Sequence, residues 1–193
     1  MRPVASHGGL TVADTPLPGV LLIGPSRFED ERGWFAELWN EQRYRAAGLD
    51  FAFAQDNVSF SRQGVLRGMH YQWPKGQGKL VSVLTGAVFD ACVDVRVGSP
   101  AYGRWFGSVL SGENRRQLWI PEGFAHGFLV LSVTALVHYN CTVPYDAASD
   151  RAVAWNDPDV GIEWPQQPKT VSPKDEAAPR LADLRPESLP SFA

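Results

Sequence analysis

The stretch AVFDACVDVR, residues 87–96, alternates strictly: Ala87, Phe89, Ala91, Val93 and Val95 fall on one side, and Val88, Asp90, Cys92, Asp94 and Arg96 on the other. A period of two in β-branched and aromatic residues reads as a strand, its first face packing a core and its second mixed. Working outward, the same signal recurs in AQDNVSFS, GVLRGMHYQ, KLVSVLTG, WFGSVLS, QLWI, HGFLVLS and TALVHYNCTV, with Gly, Pro, Asn and Ser turn signals between them. VLLIG and RGWFAELWN precede these runs, with Gly33 marking the turn before the aromatic segment. One helix stands out: NEQRYRAA, residues 40–47, has Asn40 as N-cap and Gly48 as its stop. Many short strands with one or a few short helices predict an all-β sandwich or barrel.

The 193 residues, 44% of them hydrophobic, suit one domain with a sizeable core, taken as residues 1–193. The Gly/Pro-rich lead, residues 1–16, is expected to be loosely ordered. From Asp157 the chain reads as irregular segments wrapping the barrel, with residues 184–193 a loose tail. A net charge of -3 gives no general attraction to nucleic acid or to an anionic membrane, and no run has the length of a signal peptide or a membrane span. Cys92 and Cys141 lie in apolar strand-like segments, which points to free thiols and a cytoplasmic protein.

Polar residues gather in the strands that follow the helix. Gln55, Asn57 and Ser59 share a face, as do His70 and Gln72; Arg67 has the opposite parity, but Gly68 would tolerate a bulge between them. These residues are either the wet face of antiparallel strands or the lining of a polar cavity, and amides, an imidazole and an arginine suit the cavity. WIPEGFAHGF, residues 119–128, contains Pro-x-Gly-x-x-His ending at His126, a spacing similar to the second motif of the cupins, small jelly-roll barrels. Metal-binding cupins carry His-x-His in the first motif. Here His70 has Met69 before it and Gln72 two residues after it, so no metal is expected.

The runs FEDERGWFAELWN, QDNVSFSRQGVLRGMHYQ, QGKLVSVLTGAVFDACVDVRVGSPAYGRW, LSGENRRQLWIPEGFAHGFLVLS and WNDPDVGIEWP resemble, in order, the dTDP-4-dehydrorhamnose 3,5-epimerase family. That resemblance implies a cupin-type jelly roll with no cofactor, usually a homodimer exchanging N-terminal strands. Its substrate would be a dTDP-4-keto-6-deoxyhexose, inverted at C3, C5 or both. Such an inversion needs a base on one face, a cation for the enolate oxygen and an acid on the other face. Matched residue by residue, His70 is the base, Asp175 its orienting partner, Lys79 the cation and Tyr139 the acid. By the same match Arg32, Glu37, Gln55, Asn57, Arg67, His126, Asp150 and Lys174 bind substrate, Tyr145 stacks on thymine, and Arg32 serves the neighbouring subunit's site.

The chain departs from the family pattern at Ala147 and Asp150, where Tyr-x-Pro-x-x-Glu is usual, and at Met69 and Asn140, where leucine and lysine are common. These changes could accompany epimerisation at one carbon alone. Three other readings compete: a metal-free cupin 3,4-ketoisomerase on the same sugar, a non-catalytic sugar-nucleotide-binding jelly roll, and a metal-dependent cupin oxygenase.

Overall fold

Alternating runs become strands only when they find partners, and here they pair into two facing antiparallel sheets. The computed structural model describes the backbone of residues 3–7 and 9–192 and the side chains of residues 9–192; positions 1, 2, 8 and 193 of the lead and tail lie outside the described residues. The first strands are β1 (Pro3–His7), β2 (Leu10–Asp14), β3 (Leu21–Gly24), β4 (Arg27–Asp30) and β5 (Gly33–Ala36). Helix α1 (Glu41–Ala46) leads to β6 (Gln55–Arg62), β7 (Leu66–Gln72), β8 (Lys79–Thr85), β9 (Ala87–Asp94) and β10 (Trp105–Ser111). Then come β11 (Gln117–Ile120), β12 (Phe124–Val130), β13 (Thr134–Cys141), β14 (Asp150–Ala152) and the short helix α2 (Pro173–Glu176).

A seven-stranded sheet runs β1-β2-β3-β11-β8-β13-β6 and a five-stranded sheet β10-β9-β12-β7-β14, while β4 and β5 form a separate hairpin. This is the all-β jelly roll that the sequence implies. Between the sheets lie Leu22, Val81, Val83, Val88, Cys92, Leu118, Phe128 and Val137. The apolar face of residues 87–96 packs elsewhere: Ala91, Val93 and Val95 join Met69 and Tyr71 beneath Val153, Val160, Leu181 and Leu189 of the long C-terminal segment. That segment wraps the barrel as expected. The mixed face of β9 therefore turns inward, which brings a carboxylate into the barrel.

Two order expectations are corrected. Residues 10–14 of the lead are strand, with Leu10 and Val12 buried against Ile23, Leu80 and Trp119, because alternation survives beneath the Gly and Pro content. The tail is docked rather than loose: Leu189 is buried, Val97 N–H donates to Pro190 O and Phe192 N–H to Val97 O at 2.8 and 2.9 Å, and Arg96 lies over the Phe192 ring. Helix α1 begins where its cap predicts, Asn40 Oδ1 accepting from Arg43 N–H at 3.0 Å.

Candidate active site

Sequence parity alone would send Arg67 and His70 to opposite faces of β7. The pairing of β7 with β12 slips between them: His126 stands opposite His70, but Phe128 stands opposite Arg67. Gly68 makes the slip possible with a φ of +126°, and a Cβ there would come within 2.5 Å of Gly127 Cα and 2.8 Å of His126 O. The bulge turns Arg67 and His70 into one cavity.

That cavity has a volume of about 590 Å³ and is lined by Arg67, His70, Lys79, His126, Phe128, Tyr139 and the strap of residues 170–175. A second cavity of about 400 Å³ is lined by Gln55, Asn57, Gln72, Gln77, Tyr145 and Asp150. His70, Lys79, Tyr139 and Lys174 line both. The two volumes are thus lobes of one site meeting at these four side chains. His70 stands on the five-stranded sheet, and Lys79 and Tyr139 on the seven-stranded sheet facing it.

Helix α2 supplies the partner of His70. Ser172 caps it, Oγ accepting from Asp175 N–H at 3.1 Å, and the buried Asp175 then accepts from His70 Nε2 at 2.6 Å and from Gly68 N–H at 3.3 Å. With Nε2–H given to Asp175, Nδ1 keeps its lone pair. Burial pushes the His70 pKa down, the Asp175 carboxylate pulls it back, and Lys174 and Lys79 push it down again; the net direction is down. Such a ring is neutral and able to accept a proton.

Burial also lowers the pKa of Lys79, against the upward pull of Cys141, Asp150 and Asp90, and Lys79 makes no ion pair with any described residue. Burial raises that of Tyr139, with Cys141 adding to it and Arg67 opposing, so the phenol holds its proton. At the rim of the smaller lobe, Asp150 accepts from Tyr145 Oη at 3.0 Å and pairs with Lys174 Nζ, while Gln55 Oε1 accepts from Tyr145 N–H at 2.8 Å. Arg67 Nε donates to Ser61 Oγ at 3.0 Å.

The expected site residues divide cleanly. Eleven of the thirteen line one lobe or the other; Arg32 and Glu37 do not, Arg32 pairing with Asp30 at the tip of the β4–β5 hairpin and Glu37 with Arg43 and Asn40 beside α1. Sequence reasoning missed Asp90, whose only signal was a carboxylate between Val88 and Cys92 on the mixed face of an alternating run. Its oxygens lie 3.0 and 2.9 Å from His126 Nε2, and both residues are buried. Among the described residues no group of three His, Cys, Asp or Glu side chains could hold a metal ion.

A family model described as dTDP-4-dehydrorhamnose 3,5-epimerase matches residues 14–183. The chain belongs to that family. Its relatives agree: the dTDP-4-dehydrorhamnose 3,5-epimerase of Methanothermobacter thermautotrophicus is 52% identical over 78% of this chain and 82% of its own. The Neisseria gonorrhoeae enzyme of the same name is 48% identical over 93% of this chain, which spans 55% of that relative's length. A crystal structure of the Legionella pneumophila 3,5-epimerase in complex with dTDP-4-keto-L-rhamnose superposes with a TM-score of 0.92 at 47% identity, covering 95% of this chain and 99% of that one. A 3'-monoepimerase of Streptomyces bikiniensis in complex with dTDP-quinovose gives 0.82 at 36% identity, covering 99% and 93%. The family thus includes enzymes for two carbons and for one, and this member is an isomerase of the 3,5-epimerase type.

Proposed function

We propose that this chain inverts C3, C5 or both of a dTDP-4-keto-6-deoxyhexose, with His70 as base, Tyr139 as acid, Lys79 as the cation beside the enolate oxygen and Asp175 as the group that orients His70. The observation that supports this reading is that His70 and Tyr139 stand on opposing sheets, with both side chains in the walls of both lobes. Inversion requires that a proton leave from one face of the sugar and return to the other. His70 takes the C–H proton, and the bond's electron pair moves through the adjacent carbon to the C4 oxygen. Lys79 meets that oxygen in a partly dry pocket, where a fixed cation acts more strongly than in water. Tyr139 O–H then protonates the carbon from the far face, and solvent exchange resets both groups.

The smaller lobe takes the nucleotide, with Tyr145 stacking on thymine and Gln55, Asn57, Asp150 and Lys174 around it. Arg67, whose fork suits paired bonds to phosphate oxygens, holds the diphosphate, and His126 binds the sugar. Arg32 and Glu37 act in a neighbouring subunit of a homodimer. Support comes from the exposed Phe28, Trp34 and Phe35 of the hairpin and Val58 and Phe60 of β6, apolar side chains that a second copy would cover. No helix of the described residues is long and apolar enough to cross a membrane, and the buried free thiols of Cys92 and Cys141 suit the cytoplasm.

Nuclear magnetic resonance of dTDP-4-keto-6-deoxyglucose incubated with the protein in D2O tests the reading. Deuterium should enter C3 or C5 while the keto group stays at C4, and the labelled position reports which carbon is inverted. A carbonyl moved to C3 would identify a ketoisomerase instead. Turnover should also persist after chelator treatment, and activity lost and then restored by a divalent ion would identify a metal enzyme.

A further inference from the structure

His126, in the wall of the larger lobe, belongs to a second imidazole–carboxylate pair that these roles leave unexplained. Asp90 has no exposed surface, and the only hydrogen-bond partner of its carboxylate among the described residues is His126 Nε2. A carboxylate is costly at such a depth, and the neighbours on its face of β9 are Val88 and Cys92 of the apolar core. Packing would be served better by valine. What the carboxylate does is chemical: its ionised oxygens only accept, so Nε2 is the nitrogen that carries hydrogen, and in the neutral ring Nδ1 is left with a lone pair. Nδ1 has no partner among the described residues, and the ring lines the lobe opposite His70.

We propose that Asp90 is a positioning residue for the epimerisation, fixing the His126 ring and tautomer so that Nδ1 accepts a hydrogen bond from a sugar hydroxyl and sets the rotation of the sugar between His70 and Tyr139. The inference rests on the epimerase reading above. A sugar ring turned by one hydroxyl presents the wrong carbon to the base, so an acceptor of fixed direction selects the reacting position. The substitution Asp90→Asn would keep the shape of the side chain, but an amide N–H2 can face Nε2 and turn the tautomer over. Asp90 also pulls the Lys79 pKa upward, against the lowering that burial imposes.

Asp90→Asn should lower kcat about 100-fold while KM changes less than about threefold, since alignment is lost rather than contact area. His126→Gln should cost a similar factor, and the double variant no more than His126→Gln alone, because Asp90 acts through the imidazole. Nitrogen-15 resonances of His126 in the parent protein at pH 8 should show hydrogen on Nε2 only, a pattern lost in Asp90→Asn. Parent-like kcat in Asp90→Asn, additive costs in the double variant, or hydrogen on Nδ1 in the parent would each overturn the proposal. If Asp90→Asn does not fold, the parent spectrum decides. A parent that exchanges no deuterium into the sugar sinks the epimerase reading, while the spectrum, which needs no turnover, still judges Asp90.

Discussion

His70 sits where opposing pulls on one proton meet, and the balance has a sign that can be measured. Burial, Lys174 and Lys79 lower its pKa and Asp175 raises it, with a net lowering from the ordinary value of about 6.5. As the proposed base, His70 would be competent through neutral pH, and kcat/KM should fall only as the pH drops below that value. Asp175→Asn removes the upward pull, so the acid limb should shift to still lower pH while the plateau rate falls; a limb shifted upward would contradict the pairing. The same shift contributes stability above the unfolded value that is lost as the pH falls through the folded one. His70→Asn should abolish both deuterium wash-in and product, a loss of about 10² to 10⁴ in rate. Tyr139→Phe should keep wash-in, because His70 can return a solvent-derived proton to the original face, while inverted product falls much further. Inversion at the parent rate in Tyr139→Phe would remove that residue from its role.

At the scale of elements, one bulge in β7 and one cap on α2 assemble the site. Gly68 sits at φ +126° against Gly127 and His126 backbone, and no side chain flexes to make room. Gly68→Ala should cost about 1–3 kcal/mol. Thermal unfolding would read that loss, and wash-in should fall at least tenfold because the strain separates Arg67 from His70. Unchanged melting and exchange would show that the bulge tolerates a Cβ. The bulge was legible as a glycine between two residues of wrong parity; its direction was not, since the register belongs to the β7–β12 pairing. Helix α2 was missed although Ser172 and Pro173 are a ready start signal, because four residues give no periodicity.

At the scale of the whole molecule, the β4–β5 hairpin carries three large aromatic side chains that this chain leaves exposed. Phe28, Trp34 and Phe35 are 58%, 52% and 66% exposed. Light scattering at micromolar concentration should give about twice the 21.3 kDa chain mass. The double change Trp34→Glu and Phe35→Glu should shift the protein toward monomer and lower activity with it, if Arg32 and Glu37 complete a neighbour's site. A parent protein at monomer mass would end the homodimer proposal.

The sequence by itself determined the strands, because a period of two is a local property: adjacent residues of one strand must face opposite sides. It also determined the α1 boundaries, through Asn40 and Gly48, and the family of residues that gather in the site, through motifs kept in order. Only the tertiary structure decided which face of a strand was inside. In residues 87–96 the apolar face meets a segment contributed from Val153 onward, so the mixed face and Asp90 turn into the barrel. It likewise decided that His70 and Tyr139 stand on opposing sheets, that Asp175 returns to His70 across 105 positions of chain, and that Arg32 stays outside the cavity. The physical reason is common to all of these: alternation fixes the two faces of a strand, but which one is buried depends on what the rest of the chain packs against it.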